Sequence, residues 1–252
     1  MSNPDRFLGR ADVYAAARPG YPQALSEWLV SQRLLDGHVA DVGAGTGLFT
    51  RLLLTHGGRV AAVEPNPEMR SQLATSLEAS VQTGQLTVLA GTSEDTGIPE
   101  ASVALVTAAQ AAHWFEPEAT LREFRRILCP GGRVLFVWND WRGVETPFNR
   151  AYGAVVARYQ DARTPQLATR VPEAELPRFM PGGVERRVFD NPVILSRERL
   201  RALAGSVSYL PAPGDARSGP MFKELDQAFD AHAQGGQVTL AYRTHAFLGQ
   251  LD

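Results

Sequence analysis

Cysteine is nearly absent: the chain of 252 residues has one, Cys129. An intramolecular disulfide is therefore impossible, a cysteine-rich metal site cannot be assembled, and Cys129, with no activating neighbour in sequence, reads as inert packing. Long apolar runs are missing as well. No stretch approaches the ~18 residues that a membrane span requires, and no apolar signal core opens the chain. A basic block is lacking too, since 25 Lys and Arg are interspersed with 27 Asp and Glu for a formal net charge of −2. Nothing there could neutralise a run of phosphates, so neither nucleic acid nor a membrane is an expected partner. With no repeats or low-complexity tracts, and 44% hydrophobic residues, the chain reads as one cytoplasmic globular domain with a sizeable core.

Glycine is plentiful, at 23 residues, and it clusters in residues 39–48, V-A-D-V-G-A-G-T-G-L. A short apolar strand runs there into a turn made of Gly43, Ala44, Gly45, Thr46 and Gly47, followed by helix-compatible residues as far as Gly57. Alternate glycines let a backbone fold sharply and lie against a ligand. Spacing limits which ligand. A dinucleotide fingerprint needs glycine at the first, third and sixth positions, and the sixth from Gly43 is Leu48. Asp41 also has the wrong charge for a diphosphate and the right one for an amino group. The pattern D-V-G-A-G-T-G resembles motif I of the class I S-adenosylmethionine-dependent methyltransferases. That resemblance implies that Gly43 and Gly45 approach the cofactor, and that Asp41 meets its methionine amino group directly or through water.

Other stretches extend the resemblance. Upstream, Tyr14 to Pro22 follows Y-x-x-x-R-P-x-Y-P, similar to the arm of methyltransferases of the trans-aconitate and ubiquinone-biosynthesis types. By that likeness Arg18 forks onto the methionine carboxylate with Tyr14 beside it; the plainer reading is an arm whose aromatics cover the sheet edge. Residues 59–64 form a second strand ending in Glu64, placed to accept hydrogen bonds from both ribose hydroxyls. Pro65 then lies near the adenine, and Met69 is either core or an adenine contact. After a third strand at 86–91, the turn Thr92, Ser93, Glu94 suits adenine, although many relatives have aspartate where Thr92 stands. A solvated turn is the alternative.

The fourth strand, 101–110, ends in Q-A-A-H-W-F, resembling the A-Q-A-x-H-W-F stretch of the same subgroup. Gln110 falls beside the cofactor, His113 orients an acceptor or takes its proton, or is structural, and Trp114 is packing or a substrate platform. A fifth strand, 133–139, brings Trp138, Asn139 and Trp141 to the ligand-facing end as acceptor-pocket residues or as closure of the sheet. The proline-rich segment 164–183 reads as part of a lid-like insertion around 146–183, a lid or a wall of the acceptor site, and 1–35 as the N-terminal arm. Further on come a strand at 184–189, helices at 197–203 and near 222–233, and a strand at 238–244 whose alternation suits an antiparallel edge. Ser206 and Tyr209 are expected to face the pocket.

The expected fold is α/β, a three-layer Rossmann-like sandwich; the resemblance adds a seven-stranded, mostly parallel sheet with one antiparallel strand. It also implies S-adenosylmethionine as donor, S-adenosylhomocysteine as product and no metal. The expected acceptor is a small molecule, methylated on oxygen or a carboxylate. The rivals are an NAD-dependent oxidoreductase and a cofactor-binding module without catalysis. The oligomeric state is not fixed by the sequence.

Overall fold

Apolar runs of the sequence become the parallel strands of a seven-stranded sheet: β1 (His38–Val42), β2 (Arg59–Val63), β3 (Leu86–Leu89), β4 (Val103–Ala109) and β5 (Leu128–Asp140), extended by β6 (Val184–Leu195) and β7 (Val238–Gly249). The computed structural model describes residues 18–161, 170–207, 209–212 and 214–252. Strand order is β3-β2-β1-β4-β5-β7-β6. β1 to β5 pair in parallel, whereas β7 runs antiparallel to both its neighbours. The order reverses between β1 and β4, and a crevice at such a switch point is where open α/β sheets take their ligands.

Strand periodicity sends alternate residues to opposite faces. On one face Val39, Val60, Leu105, Leu135 and Val137 meet Leu25 and Leu29 of α1 (Gln23–Ser31), Phe49 and Leu53 of α2 (Leu48–Thr55) and Leu73 of α3 (Pro67–Ser76). After α3 comes a short α4 (Glu78–Gln82). On the other face Val42, Val106, Phe136 and Trp138 meet Phe124 and Ile127 of α5 (Pro117–Ile127). A third core forms where α6 (Pro147–Tyr159), α7 (Arg197–Ser206) and α8 (Ser218–His232) cover Val193, Leu195, Val238, Leu240 and Tyr242. Among the described residues no helix is long and apolar enough to cross a membrane.

One expectation needs correction. β7 is antiparallel but is not an edge: it lies between β5 and β6, and β6 is the edge on that side of the sheet. Its alternation has a local cause. The last partner of β5 is Arg243, opposite Asp140, so residues 238–242 pair with β6 alone, beyond the end of the parallel strands. From Thr244 to Gly249, flanked on both sides, β7 is buried without interruption. Part of the expected lid-like insertion is packed on the sheet. Residues 162–169 lie outside the described residues, but Val171, Leu176, Phe179 and Met180 are buried with Phe136, Trp138 and Phe247, and Gly182 donates to the Gln250 carbonyl. Apolar residues between the prolines make 170–183 part of the α5-side core. What extends past the ligand end of the sheet is the far half of β6 and β7 with α6, α7 and α8.

Candidate active site

Gly43, Gly45 and Gly47 all adopt positive φ, at 71°, 57° and 85°. The three serve different ends. A Cβ at Gly43 would stand 2.6 Å from the Ala111 Cβ, and one at Gly47 2.8 Å from Leu73 Cγ, whereas one at Gly45 would meet nothing within 4 Å. Gly43 thus seats the turn on the loop after β4, Gly47 seats it under α3, and Gly45 is the position open to a ligand. Thr46 is buried and Ala44 partly so.

Asp41 is fully buried in β1. Its carboxylate accepts from Thr50 Oγ1 at 2.6 Å and from Thr107 Oγ1 at 3.0 Å, tying β1 to α2 and β4. Burial pushes its pKa up to about 6, against the two hydroxyls and with a smaller contribution from nearby Glu64. Glu64, one residue past β2, accepts from the backbone N–H of Gly45 at 2.8 Å through one oxygen and of Asn66 at 2.9 Å through the other. It therefore braces the glycine turn against the start of α3, where Asn66 caps the backbone N–H groups of Glu68 and Met69. Burial raises the Glu64 carboxyl, opposed by those two N–H groups and by Arg70, which donates to the Glu64 and Pro65 carbonyls at 2.8 and 3.1 Å. A carboxylate oxygen has room for a second donor. Two such oxygens beside the open Gly45 fit a vicinal diol, so the residues present suit a nucleoside cofactor. Pro65 is exposed and Met69 buried.

The turn after β3 is tied inward. Thr92 Oγ1 accepts from the N–H of Glu94 and of Asp95, both at 3.3 Å. Ser93 is buried; its hydroxyl donates to Glu94 Oε1 at 2.8 Å and accepts from Thr120 Oγ1 at 3.0 Å. Burial raises the Glu94 carboxyl, but Thr92, Ser93 and the Glu116 N–H outweigh it and leave the pKa below the ordinary value.

At the end of β4, Gln110 holds φ at 59°, a left-handed conformation uncommon for a side-chain-bearing residue. Such strain concentrates at ligand sites. Its N–H donates to the Val137 carbonyl at 2.8 Å and its Nε2 to the Asn139 carbonyl at 3.1 Å. His113 follows in a 3-10 turn (Ala112–Trp114). Burial lowers its pKa to about 4, and its buried Nδ1 makes no hydrogen bond among the described residues. Its ring tilts against Trp114 at 4.9 Å. Trp114 is 39% exposed, which suits a platform better than packing.

The structure divides the expected acceptor set. Trp138 is 1% exposed, edge-on to Phe136 and Phe247 at 5.8 Å; it shares the parity of Phe136 and belongs to the core, not the pocket. Asn139 points the other way and is a hub. Its Nδ2 donates to the Pro19 and Gly20 carbonyls at 3.4 and 3.1 Å, and its Oδ1 accepts from Thr244 Oγ1 at 2.6 Å and Asn191 Nδ2 at 3.2 Å. Trp141 meets Tyr152 edge-on at 4.9 Å, and Tyr209 packs on the same third core. Tyr14 lies outside the described residues. Arg18 donates to the carbonyl of Ser206 at 3.4 Å, on the α7 side. Sequence reasoning missed Thr50, Thr107, Asn191 and Thr244, polar residues in apolar-looking elements. Among the described residues no group of three His, Cys, Asp or Glu could hold a metal ion.

Comparison with known proteins agrees with this geometry. Residues 40–136 match the family model of a methyltransferase domain. An uncharacterised methyltransferase of Mycobacterium tuberculosis (strain H37Rv) is 37% identical over 155 residues, 62% of this chain and 60% of the relative. The chain thus aligns with about 60% of the length of the mycobacterial relatives it matches. An uncharacterised methyltransferase-like protein of Schizosaccharomyces pombe is 28% identical over 245 residues, 95% of this chain and 93% of the relative. The solved structure of a candidate type II methyltransferase from Anaeromyxobacter dehalogenans shares the fold with a TM-score of 0.68 at 23% identity, covering 93% of this chain and 98% of that one. Residues 40–136 are thus similar to a methyltransferase domain, set in a fold that the solved methyltransferase structure shares over 93% of this chain.

Proposed function

We propose that the chain as a whole transfers a methyl group from S-adenosylmethionine to a small-molecule acceptor, at an oxygen or carboxylate, and releases S-adenosylhomocysteine. One observation carries this reading: the Glu64 carboxylate, held by the Gly45 and Asn66 N–H groups, beside the one glycine of the turn that faces open space. That is a diol receptor at the end of β2. The donor brings an electrophilic sulfonium methyl, so the protein's task is to hold a nucleophile in line and exclude water. Glu64 takes the ribose. Asp41, whose oxygens already serve Thr50 and Thr107, reaches the amino group through a water. Pro65, Met69 and the turn at Thr92, Ser93 and Glu94 flank the adenine.

Gln110, in its strained conformation, presents the loop of His113 and Trp114 to the acceptor. A neutral imidazole there orients the nucleophile, and a carboxylate acceptor, already ionised, needs no base. The likeness to the trans-aconitate and ubiquinone-biosynthesis types rests on the arm and on Q-A-A-H-W-F. Calorimetry with S-adenosylhomocysteine tests the donor site. Glu64→Gln, which keeps the side-chain shape, is expected to weaken affinity at least tenfold, about 1.4 kcal/mol. Unchanged affinity rejects the ribose assignment, and a wild-type preference for nicotinamide dinucleotide overturns the methyltransferase reading. Label from an isotopically methylated donor, followed through a fractionated metabolite extract, identifies the acceptor.

A further inference from the structure

The two edges of the sheet differ. β3 has 4 residues and offers little to pair with, whereas β6 has 12. β6 is last in the strand order, and among the described residues it pairs with β7 alone. Its outer side lies in solvent: Val184 to Val188 are all exposed, Val188 at 44%, and Ile194 further on is 56% exposed. A long strand with one bare side is a template for another strand.

Which backbone groups face outward can be read from the register. Gly183 pairs with Gln250 in continuation of β6 and β7, and its carbonyl accepts from the Gln250 N–H at 3.2 Å. Odd-numbered residues therefore turn towards β7, and even-numbered ones turn away, as alternate residues of an antiparallel strand do. Pro192, with no N–H to give, falls on the outward set, where an edge strand tolerates proline. The carbonyl of Ile194, also outward, accepts from the Arg199 side chain at 3.5 Å. Val184, Arg186, Val188 and Asp190 thus hold their N–H and C=O groups along the open edge, and their side chains share one exposed face with Pro192.

That face is complementary to itself. Arg186 and Asp190 carry opposite charges at equal distances from Val188. Two such strands, antiparallel about a two-fold axis at Val188, set each Arg186 opposite the other Asp190, Val188 opposite its copy, and Val184 opposite Pro192. Neighbouring registers lose this match. An axis at Arg186, Arg187 or Asp190 puts like charges face to face, and one at Phe189 sets Asp190 against Val188 and Arg186 against Pro192, with no ion pair. Within its own chain Arg186 lies 3.6 Å from Glu173, a half-exposed pair that is weak by itself and leaves the guanidinium on this face.

We propose that β6 is a dimerisation strand, on which a second copy of this chain pairs antiparallel about Val188 and joins two sheets into one. The self-matching charges favour a copy of the chain over an unrelated partner. Sedimentation velocity on the full chain, from about 1 to 100 μM, spans the range in which interfaces of micromolar strength fill. The wild type is expected to pass from monomer to dimer. Asp190→Arg, which sets like charges opposite each other, is expected to weaken the dimer at least tenfold, and adding Arg186→Asp, which restores the pair in reversed order, to recover it. Thermal melts of each variant are read first, so that loss of folding is not taken for loss of pairing. The register is read by oxidation in a Cys129→Ser background. Val188→Cys is expected to link to its copy, since directly opposed residues of such a pair have Cα atoms about 5.5 Å apart, within disulfide reach. Ile194→Cys, at a more exposed position, is expected to stay unlinked. A wild type that remains monomeric throughout, a dimer indifferent to Asp190→Arg, a folded double exchange without recovery, or equal linking at 188 and 194 overturns the proposal.

Discussion

Asp41 and His113 are both disfavoured in their charged forms by burial, and each leaves a signature in pH. The folded-state pKa of Asp41 is raised to about 6, so its stabilising contribution belongs to the protonated form, present in full below the unfolded pKa near 4 and lost as pH rises through 6. Asp41→Asn, neutral at every pH, is expected to compare best with wild type at pH 7 and to lose that relative advantage at pH 5, as followed by thermal melts. A difference in melting temperature that does not change between pH 5 and 7 rejects the raised pKa. His113 is the opposite case: its pKa falls to about 4, so the neutral ring stabilises above the unfolded pKa near 6.5, and stability drains as pH falls from 6.5 towards 4. Once an acceptor is known, the rate is expected to stay flat from pH 5 to 8 with any acid limb near 4, and His113→Ala to reduce it modestly; a loss on the order of 10² to 10⁴ makes His113 a base. The glycines and Glu64 were legible because backbone conformation and strand-end chemistry are local. The Asp41 partner Thr107 was not, since that bond spans 66 positions and exists only once β4 lies beside β1. Trp138 and Asn139 could have been separated by strand parity, but parity alone does not tell which face residues 170–183 will cover.

At the scale of elements, the polar hub at Asn139 joins four pieces: the segment at Pro19 and Gly20, β5 itself, β6 through Asn191, and β7 through Thr244. Asn191 reinforces it with its own bond to the Gly20 carbonyl at 2.9 Å. Asn139→Ala is expected to cost about 1 to 3 kcal/mol, because it strands the Thr244 donor in the interior and takes from Asn191 one of its two acceptors, and to speed amide exchange around residues 20–23. Denaturation with exchange measured on the same variant checks both; wild-type stability and exchange would show that the hub is ornamental. α5 is moored in the same manner. Glu123 accepts from the N–H and hydroxyl of Thr96 at 2.9 and 2.6 Å and pairs with Arg126 at 2.7 Å. Caps such as Asn66, Thr146 and Ser196 could be read from residue type and spacing. The core packing of 170–183 could not: Val171, Leu176, Phe179 and Met180 sit irregularly among prolines, where the period of the apolar residues does not reveal it.

The whole molecule depends on β7 lying between β5 and β6, a long-range arrangement that the local alternation of Val238, Leu240 and Tyr242 did not disclose. A chain stopped at Ala233 keeps every motif of the donor site yet leaves β5 with a bare edge and β6 without a partner. Such a chain is expected to show no cooperative melt and no affinity for S-adenosylhomocysteine; retention of either would show that residues up to 233 fold without the last strand. The same placement governs how the protein is made. β1 to β5 can pair in turn as the nascent chain leaves the ribosome, but β6 emerges before the strand that holds it. Until β7 follows and slides into the gap, β5 offers an open edge, and Val184, Val188 and Ile194, still exposed in the finished fold, extend along a strand with no neighbour. That interval is where a chaperone has most to hold and where crowded synthesis turns unpaired strands into aggregate.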